Sequence, residues 1–465
     1  MSLRNKWVRS LVCLVSVIFI SSLVTVGPVF AEVTLDELLA RVEKLEQANA
    51  KLEQENASLK TAVASLQDKQ STQETKLASV QSAPAAAPAT VPSGNVLKTR
   101  GEVELYGFVK ADLVVSSRDM ANSGVSITQC NASRTTATGG DDPETQMSAQ
   151  DTRLGLKLKA PDLDDGGKLS GQFEMDFGNS GANLSGNYTP RMRLAFVQVD
   201  FDKWAVNAGQ NWDFFAPLNS NLLNPGALYR AGNLGTRHPQ ANLTNKWGEL
   251  LGGKVLTKVG VIDTDDSLVE DTGMPVAAAY ASYERKILGV KSTFGVGGMY
   301  GRINLPKNGT SRDPIYATTA GLTLQFTDWL AFKGEGFSGV ALNKFQGGPA
   351  QTVGGSSSAT SYVPTANSKA IPVKGGFVEL TYNPIKKVEM NVGAGLDNVN
   401  EDMAAFTAYD NTTVWSYNKT YYTNLKYSLS KDLIVGLEFQ RFQTKWLDKA
   451  QSSDNRVETS LIYKF

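Results

Sequence analysis

Seven basic side chains have the chemistry to gather small anions: Arg153, Lys157, Arg191, Arg193, Arg230, Arg237 and His238. A guanidinium offers two parallel N–H donors that match a carboxylate or a phosphate. Arg230, Arg237 and His238 lie in one long stretch, 213–239, which also carries Phe214, Phe215, Pro217, Pro225 and Tyr229. Arg153, Lys157, Arg191 and Arg193 lie in shorter segments that could face it. Each Arg also has a plainer reading, an ion pair with Glu174, Asp176, Glu335 or Glu438, and His238 beside Pro239 could simply pack a loop. Enzyme chemistry is poorly supplied. His238 is the one histidine, and no serine beside it offers a nucleophile–base pair. Cys13 and Cys130 are the two cysteines, so no thiol cluster exists for zinc, and nothing calls for a metal or a cofactor.

The segments that must position these groups alternate with period two from Gly101 onward. Val103, Leu105, Gly107, Val109, Ala111, Leu113 and Val115 share one face, while Glu102, Glu104, Tyr106, Phe108, Lys110 and Asp112 share the other. Leu154, Leu156 and Leu158 oppose Arg153, Lys157 and Lys159, and Leu169, Phe173, Met175 and Phe177 oppose Lys168, Gln172, Glu174 and Asp176. Val388, Met390, Val392 and Leu396 oppose Glu389, Asn391 and Asp397. Val457, Leu461, Tyr463 and Phe465 oppose Arg456, Glu458, Ser460 and Lys464. One apolar and one polar face suit a wall between hydrocarbon and a wet interior. An exported β-sandwich would show the same alternation with its polar faces outward.

Connections alternate in length. Short turns are expected at 161–167, 200–204, 248–251, 285–289, 327–329, 383–387 and 430–432. Long ones are expected at 118–151, 179–190, 213–239, 263–273, 304–314, 345–372, 399–414 and 445–455. Seven short and eight long connections join sixteen antiparallel strands, and an even count places both ends of the barrel, 101–465, on the short-turn side. Trp204, Trp329, Tyr382, Tyr427 and Tyr463 sit at strand ends, as interfacial aromatics do. The terminal Phe465 ends an alternating apolar row, like the assembly signal of outer-membrane barrels. The expected fold class is therefore an all-β transmembrane barrel.

Ahead of it the pattern differs. Residues 1–31 read as a signal peptide: Arg4, Lys6 and Arg9 precede an apolar run from Leu11 to Val26. Cys13 lies in that run, and its removal leaves Cys130 alone. Lys plus Arg and Asp plus Glu each total 46; losing three cations with 1–31 leaves 43 against 46, so no basic field for nucleic acid exists. Residues 32–82 carry heptads with Leu38, Leu45, Leu52, Leu59 and Leu66 at position d, the expected self-association seam of an α-helical coiled coil in the periplasm. Asn49 and Asn56 at position a penalise slipped registers, and the local rules lean to two strands. Residues 83–100 form an Ala/Pro-rich linker.

This order of segments, followed by Gly101-Glu102-Val103-Glu104-Leu105-Tyr106-Gly107-Phe108, Asp151-Thr152-Arg153-Leu154-Gly155, Ala208-Gly209-Gln210-Asn211-Trp212 and Arg237-His238-Pro239-Gln240, resembles the DcaP-like outer-membrane porins. The resemblance implies a homotrimer of sixteen-stranded barrels set in outer-membrane lipid. It also implies uptake of small anionic solutes such as dicarboxylates, while Gly209-Gln210-Asn211-Trp212 followed by Pro217 resembles the lead-in to the inward-folded third loop of general porins. Two other readings stay open. One is a phosphate-selective porin. The other is a structural protein whose coiled coil ties the outer membrane to peptidoglycan.

Overall fold

The structure, a computed structural model, describes residues 101–118, 143–178, 188–263, 274–305, 311–348, 356–358, 361–363, 370–399, 415–446 and 450–465. The expected signal peptide, the coiled coil with Leu38, Leu45, Leu52, Leu59 and Leu66, and the linker lie outside these residues.

The described residues form a closed antiparallel barrel with sixteen strand positions. The first half comprises β1 (Glu102–Ser116), β2 (in two pieces, Glu144–Ser148 and Arg153–Lys159), β3 (Lys168–Asp176), β4 (Arg191–Asp200), β5 (Trp204–Trp212), β6 (Arg237–Leu250), β7 (Gly253–Ile262) and β8 (Val276–Ile287). The second comprises β9 (Val290–Leu305), β10 (Ser311–Thr327), β11 (Leu330–Val340), β12 (Pro372–Ile385), β13 (Val388–Val399), β14 (Trp415–Ser428), β15 (Leu433–Trp446) and β16 (Gln451–Lys464). Each strand pairs with the next, and β1 closes on β16 in register from Phe108↔Lys464 to Ser116↔Arg456. Phe465 completes the seam: Gly107 and Phe465 exchange backbone hydrogen bonds at 3.2 Å. A Cβ on Gly107 would fall 2.9 Å from the Phe465 ring, so the missing side chain makes room for the last residue.

Three connections are shorter than expected. Glu144–Ser148 pairs with β1 instead of lying in the loop. The strands also run on to Leu305 and from Ser311, and on to Trp446 and from Gln451. Glu144–Ser148 and the start of β16 at 451–455 are mostly polar in sequence, which hides the period-two signal while the backbone ladder continues.

The two faces sort as the alternation requires. Val103, Val109, Val197, Val392 and Leu461 point outward and are exposed, whereas Lys110, Asp112, Glu174, Glu379, Glu438 and Glu458 point inward and are buried. Trp204, Trp329, Tyr382 and Tyr463 are exposed at the short-turn end, where Trp329 and Tyr382 meet edge to face at 5.8 Å. A soluble barrel would pay to expose so continuous an apolar band. The interior is not uniformly polar. Phe214, Phe215, Leu234 and Phe345 pack on Ile262, Val276, Met299, Ile315, Phe337 and Val399 to make an apolar core inside the barrel, at its long-loop end.

This inversion makes a quantitative expectation. Val392→Arg places a guanidinium on the outward band and lowers the folding free energy in lipid bilayers by about 2–4 kcal/mol. Lys157→Gln, on the inward face, changes it by less than about 1 kcal/mol because its pair with Glu104 is exposed. Urea titration of both variants in vesicles checks this; equal effects would contradict the assignment of faces.

Candidate functional site

The connection between β5 and β6, residues 213–236, turns into the barrel, and its neck is zipped. The Asp213 amide donates to the Thr236 carbonyl at 2.9 Å. One Asp213 carboxylate oxygen accepts the Thr236 amide at 2.8 Å, and the other meets His238 Nδ1 at 2.8 Å. The His238 ring also packs on Phe345, with centroids 4.8 Å apart.

Beyond the neck the loop backbone lies directly on the inner wall. A Cβ on Gly297 would fall 1.9 Å from the Phe215 carbonyl oxygen, and one on Gly395 would fall 2.0 Å from that of Ala231. Those two glycines are vacant inward positions that let a second backbone approach. Side chains from the wall then satisfy the loop's polar backbone. Glu379 accepts the Asn221 amide at 2.7 Å. Glu438 accepts the amides of Leu223 and Asn224 at 2.7 and 3.2 Å. Lys426 and Asn424 donate to the Asn221 carbonyl at 2.8 and 3.0 Å, Lys110 to that of Leu223 at 3.0 Å, and Thr319 to that of Phe215 at 2.6 Å. Apolar loop residues Leu222, Ala227 and Leu228 bury against Phe377, Tyr422 and Phe442.

The loop thereby fills one side of the interior and leaves a cavity of about 350 Å³ on the other. Leu222, Leu223, Pro225 and Tyr229 line it from the loop, and Arg153, Arg191, Arg193 and Arg237 line it from the wall. Lys110, Lys426 and Lys464 bring the basic groups in its lining to seven, against two carboxylates, Asp151 and Asp176.

The four arginines differ in how far they are neutralised. Arg191 grips Asp176 with two hydrogen bonds of 2.9 and 2.8 Å. Arg193 reaches Glu174 and Asp176, both at 2.7 Å. Arg153 lies 3.5 Å from Glu174 and over the Phe108 ring. Arg237 forms no ion pair among the described residues; its guanidinium lies 4.9 Å from the centroid of Trp212. Four guanidinium groups thus share two carboxylates, Glu174 and Asp176, so the wall keeps a positive excess.

Of the seven basic residues singled out from the sequence, the structure brings these four together. Lys157 pairs with Glu104 at 2.8 Å on an exposed part of the wall, outside the cavity lining. Arg230 is half-buried and turned away from the cavity, donating to the carbonyls of Asn343 and Gly348 at 3.2 and 3.4 Å. Burial pushes its guanidinium down to about 10, with Asp397 opposing the shift. His238 sits in the loop neck and does not line the cavity. The sequence reading missed Lys110, Lys426, Lys464 and Trp212. Lys110 and Lys464 stand on the polar faces of their alternating segments, so that signal was present. Among the described residues no group of His, Cys, Asp and Glu could hold a metal ion.

No protein-family profile and no curated protein matches the sequence. Solved structures do match the fold. The outer membrane channel DcaP of Acinetobacter baumannii superposes with a TM-score of 0.62 at 19% identity, covering 78% of this chain and 97% of that one. OprB of Pseudomonas putida gives 0.51 at 11% identity over 79% and 94%. OmpF of Salmonella typhi, in complex with daunomycin, gives 0.51 at 10% identity over 78% and 98%. The chain has the fold of these outer-membrane barrels.

Proposed function

We propose that this chain is a DcaP-like outer-membrane porin through which small hydrophilic solutes diffuse passively, with small anions such as dicarboxylates preferred. The carrying observation is the arginine wall opposite the inward loop: seven basic groups and two carboxylates line a cavity of about 350 Å³. A charged cleft with low-dielectric walls focuses its field and concentrates counter-ions. The arginines held by Glu174 and Asp176 keep a fixed geometry, and Arg237 supplies a cation that an entering anion need not displace from a partner. Passage also requires that an anion leave, and a wall already partly neutralised holds it weakly enough to let go.

The same reading puts the short-turn end on the periplasmic side and takes the leucine seam of 32–82 to join three chains. The exposed outward band of Val103, Val197 and Val392 supports contact with membrane lipid. The cluster of basic groups in the interior favours a transport role over a purely structural tether.

Two outcomes follow. Arg237→Gln removes a cation without orphaning a carboxylate, so the barrel stays folded. A charge about 4 Å from a permeating ion contributes about 1 kcal/mol in a water-like medium, attracting an anion and repelling a cation, so anion permeability falls roughly fivefold and the anion-to-cation ratio by up to about thirtyfold. Reversal potentials across planar bilayers in a salt gradient measure it, and an unchanged ratio would remove Arg237 from the selectivity site. Gly297→Val forces the Phe215 carbonyl off the wall. Single-channel recordings then show noisier currents and an altered conductance; currents indistinguishable from wild type would mean the loop does not bound the path.

A further inference from the structure

Five residues other than glycine adopt the left-handed backbone among the described residues. Leu251 and Leu288 do so in two-residue hairpin turns, followed by Gly252 and Gly289, where the turn itself requires that conformation. The other three, Arg230, Ala341 and Gln346, serve no hairpin, and they meet in one place. Their φ angles are 60°, 60° and 61°. An L-residue held there is strained, and such strain persists only where surrounding contacts over-determine it.

The place is the turn that leaves β11. The Ala341 amide donates to the Ile371 carbonyl at 2.8 Å, and a single 3-10 turn, Asn343–Phe345, follows. This turn is fastened to the inward loop along its length. The Arg230 amide donates to the Gln346 carbonyl at 2.8 Å, and the Gly235 amide to that of Phe345 at 2.7 Å. The Arg230 guanidinium reaches the carbonyls of Asn343 and Gly348. Asp397, fully buried on β13, accepts the amide of Gly232 from the loop and that of Gly348 from the turn, the latter at 2.6 Å. One carboxylate thus ties both segments. The Phe345 ring, also fully buried, meets Phe215 edge to face at 5.3 Å and packs on His238. A Cβ on Gly347 would fall 2.7 Å from a Leu234 methyl, so its absence lets the loop close on the turn.

The fastened parts border the path of the solute. Gln346 from the turn, Tyr229 and Thr236 from the loop, and Arg237 just after it all line the cavity. The other limb of the loop, residues 213–229, is strapped by Glu379 and Glu438 and holds no strained residue of this kind. Strain is therefore confined to the limb that meets the turn. A segment held by a few hydrogen bonds around one carboxylate, against backbone strain at three residues, has two arrangements of similar free energy. We propose that the turn 341–348 is a strained latch on the inward loop, and that its release lets residues 228–236 leave the wall and changes the width of the path. The structure shows the latch closed. Its electrical readout rests on the reading of the barrel as a channel, but not on the solute or on its charge.

The test uses the full chain, in planar bilayers for single-channel recording and in detergent for amide hydrogen exchange read by mass spectrometry. Two variants push the latch in opposite directions, and neither position lines the cavity. Asp397→Asn keeps the shape but replaces the charged acceptor that both segments share. Ala341→Gly removes strain at one residue, since glycine adopts that φ without steric cost, and leaves every contact named above in place. Switching between conductance levels becomes about tenfold more frequent in Asp397→Asn, as the loss of charge-assisted bonds requires. It becomes about threefold rarer in Ala341→Gly. Exchange at residues 228–236 speeds up in the first variant and slows in the second, while exchange at 221–224, held by Glu379 and Glu438, stays at the wild-type rate in both. Changes in the same direction, or none in either variant, would overturn the latch. So would a wild-type channel that never switches. If Asp397→Asn does not fold, Ala341→Gly decides alone, and wild-type switching and exchange in it would overturn the latch. Failure of wild type to conduct would sink the porin reading and leave the exchange result to decide on the latch.

Discussion

Two buried carboxylates hold up a backbone that would otherwise have no partners. Glu438 accepts the amides of Leu223 and Asn224, and Glu379 accepts that of Asn221. A chain crossing a barrel interior leaves the strand ladder, so its N–H and C=O groups need other partners. Each hydrogen bond to a charged group contributes about 1.5–3 kcal/mol, roughly twice a neutral one. Lys110, Lys426 and Asn424 complete the set by donating to the carbonyls. With these bonds made, the loop lies against the wall like an additional layer; without them it would have to return to water.

The position of the loop then decides the character of the remaining space. The carboxylates on the loop side, Glu379 and Glu438, are turned into its backbone and do not line the cavity. On the other side Glu174 and Asp176 are outnumbered by Arg153, Arg191, Arg193 and Arg237. A chain whose charges nearly balance thus produces a cavity with a strong positive bias. Separation of charge by the fold, not excess charge in the composition, makes the site.

Much of the architecture was legible in the residues. Alternation in β1, β3, β13 and β16 placed Val103, Phe173, Val392 and Leu461 on one face and Asp112, Glu174, Asn391 and Glu458 on the other, and the structure separates them so. Turn positions came from the breaks between alternating runs. The site was legible in part. Arg153, Arg191, Arg193 and Arg237 could be nominated because arginine chemistry is local. Which of them keep a free charge depends on register between β3 and β4, where Asp176 faces Arg191. Arg230 and His238 could not be separated from Arg237 by sequence, since all three lie in one polar stretch and only the loop's path sends two of them away from the cavity. Gly297 and Gly395 carried no recognisable signal, because a glycine that admits another backbone looks like any other glycine in a strand. The apolar inner lining of Ile262, Val276 and Met299 was hidden for a related reason: its partner is a loop, and a loop's path is not periodic.

The central claim is that the loop is strapped to the wall at Leu223 and that ions pass on its other side. Leu223 lies against Gly436, where an added Cβ would sit 2.6 Å from the leucine methyl carbons. The direct measurement is a disulfide between Leu223→Cys and Gly436→Cys, in a Cys130→Ser background, recorded in single channels before and after reduction. The account predicts that the bond forms spontaneously on oxidation and that the current and its anion preference persist through reduction. A pair that does not oxidise, or a bond that closes the channel, would contradict it.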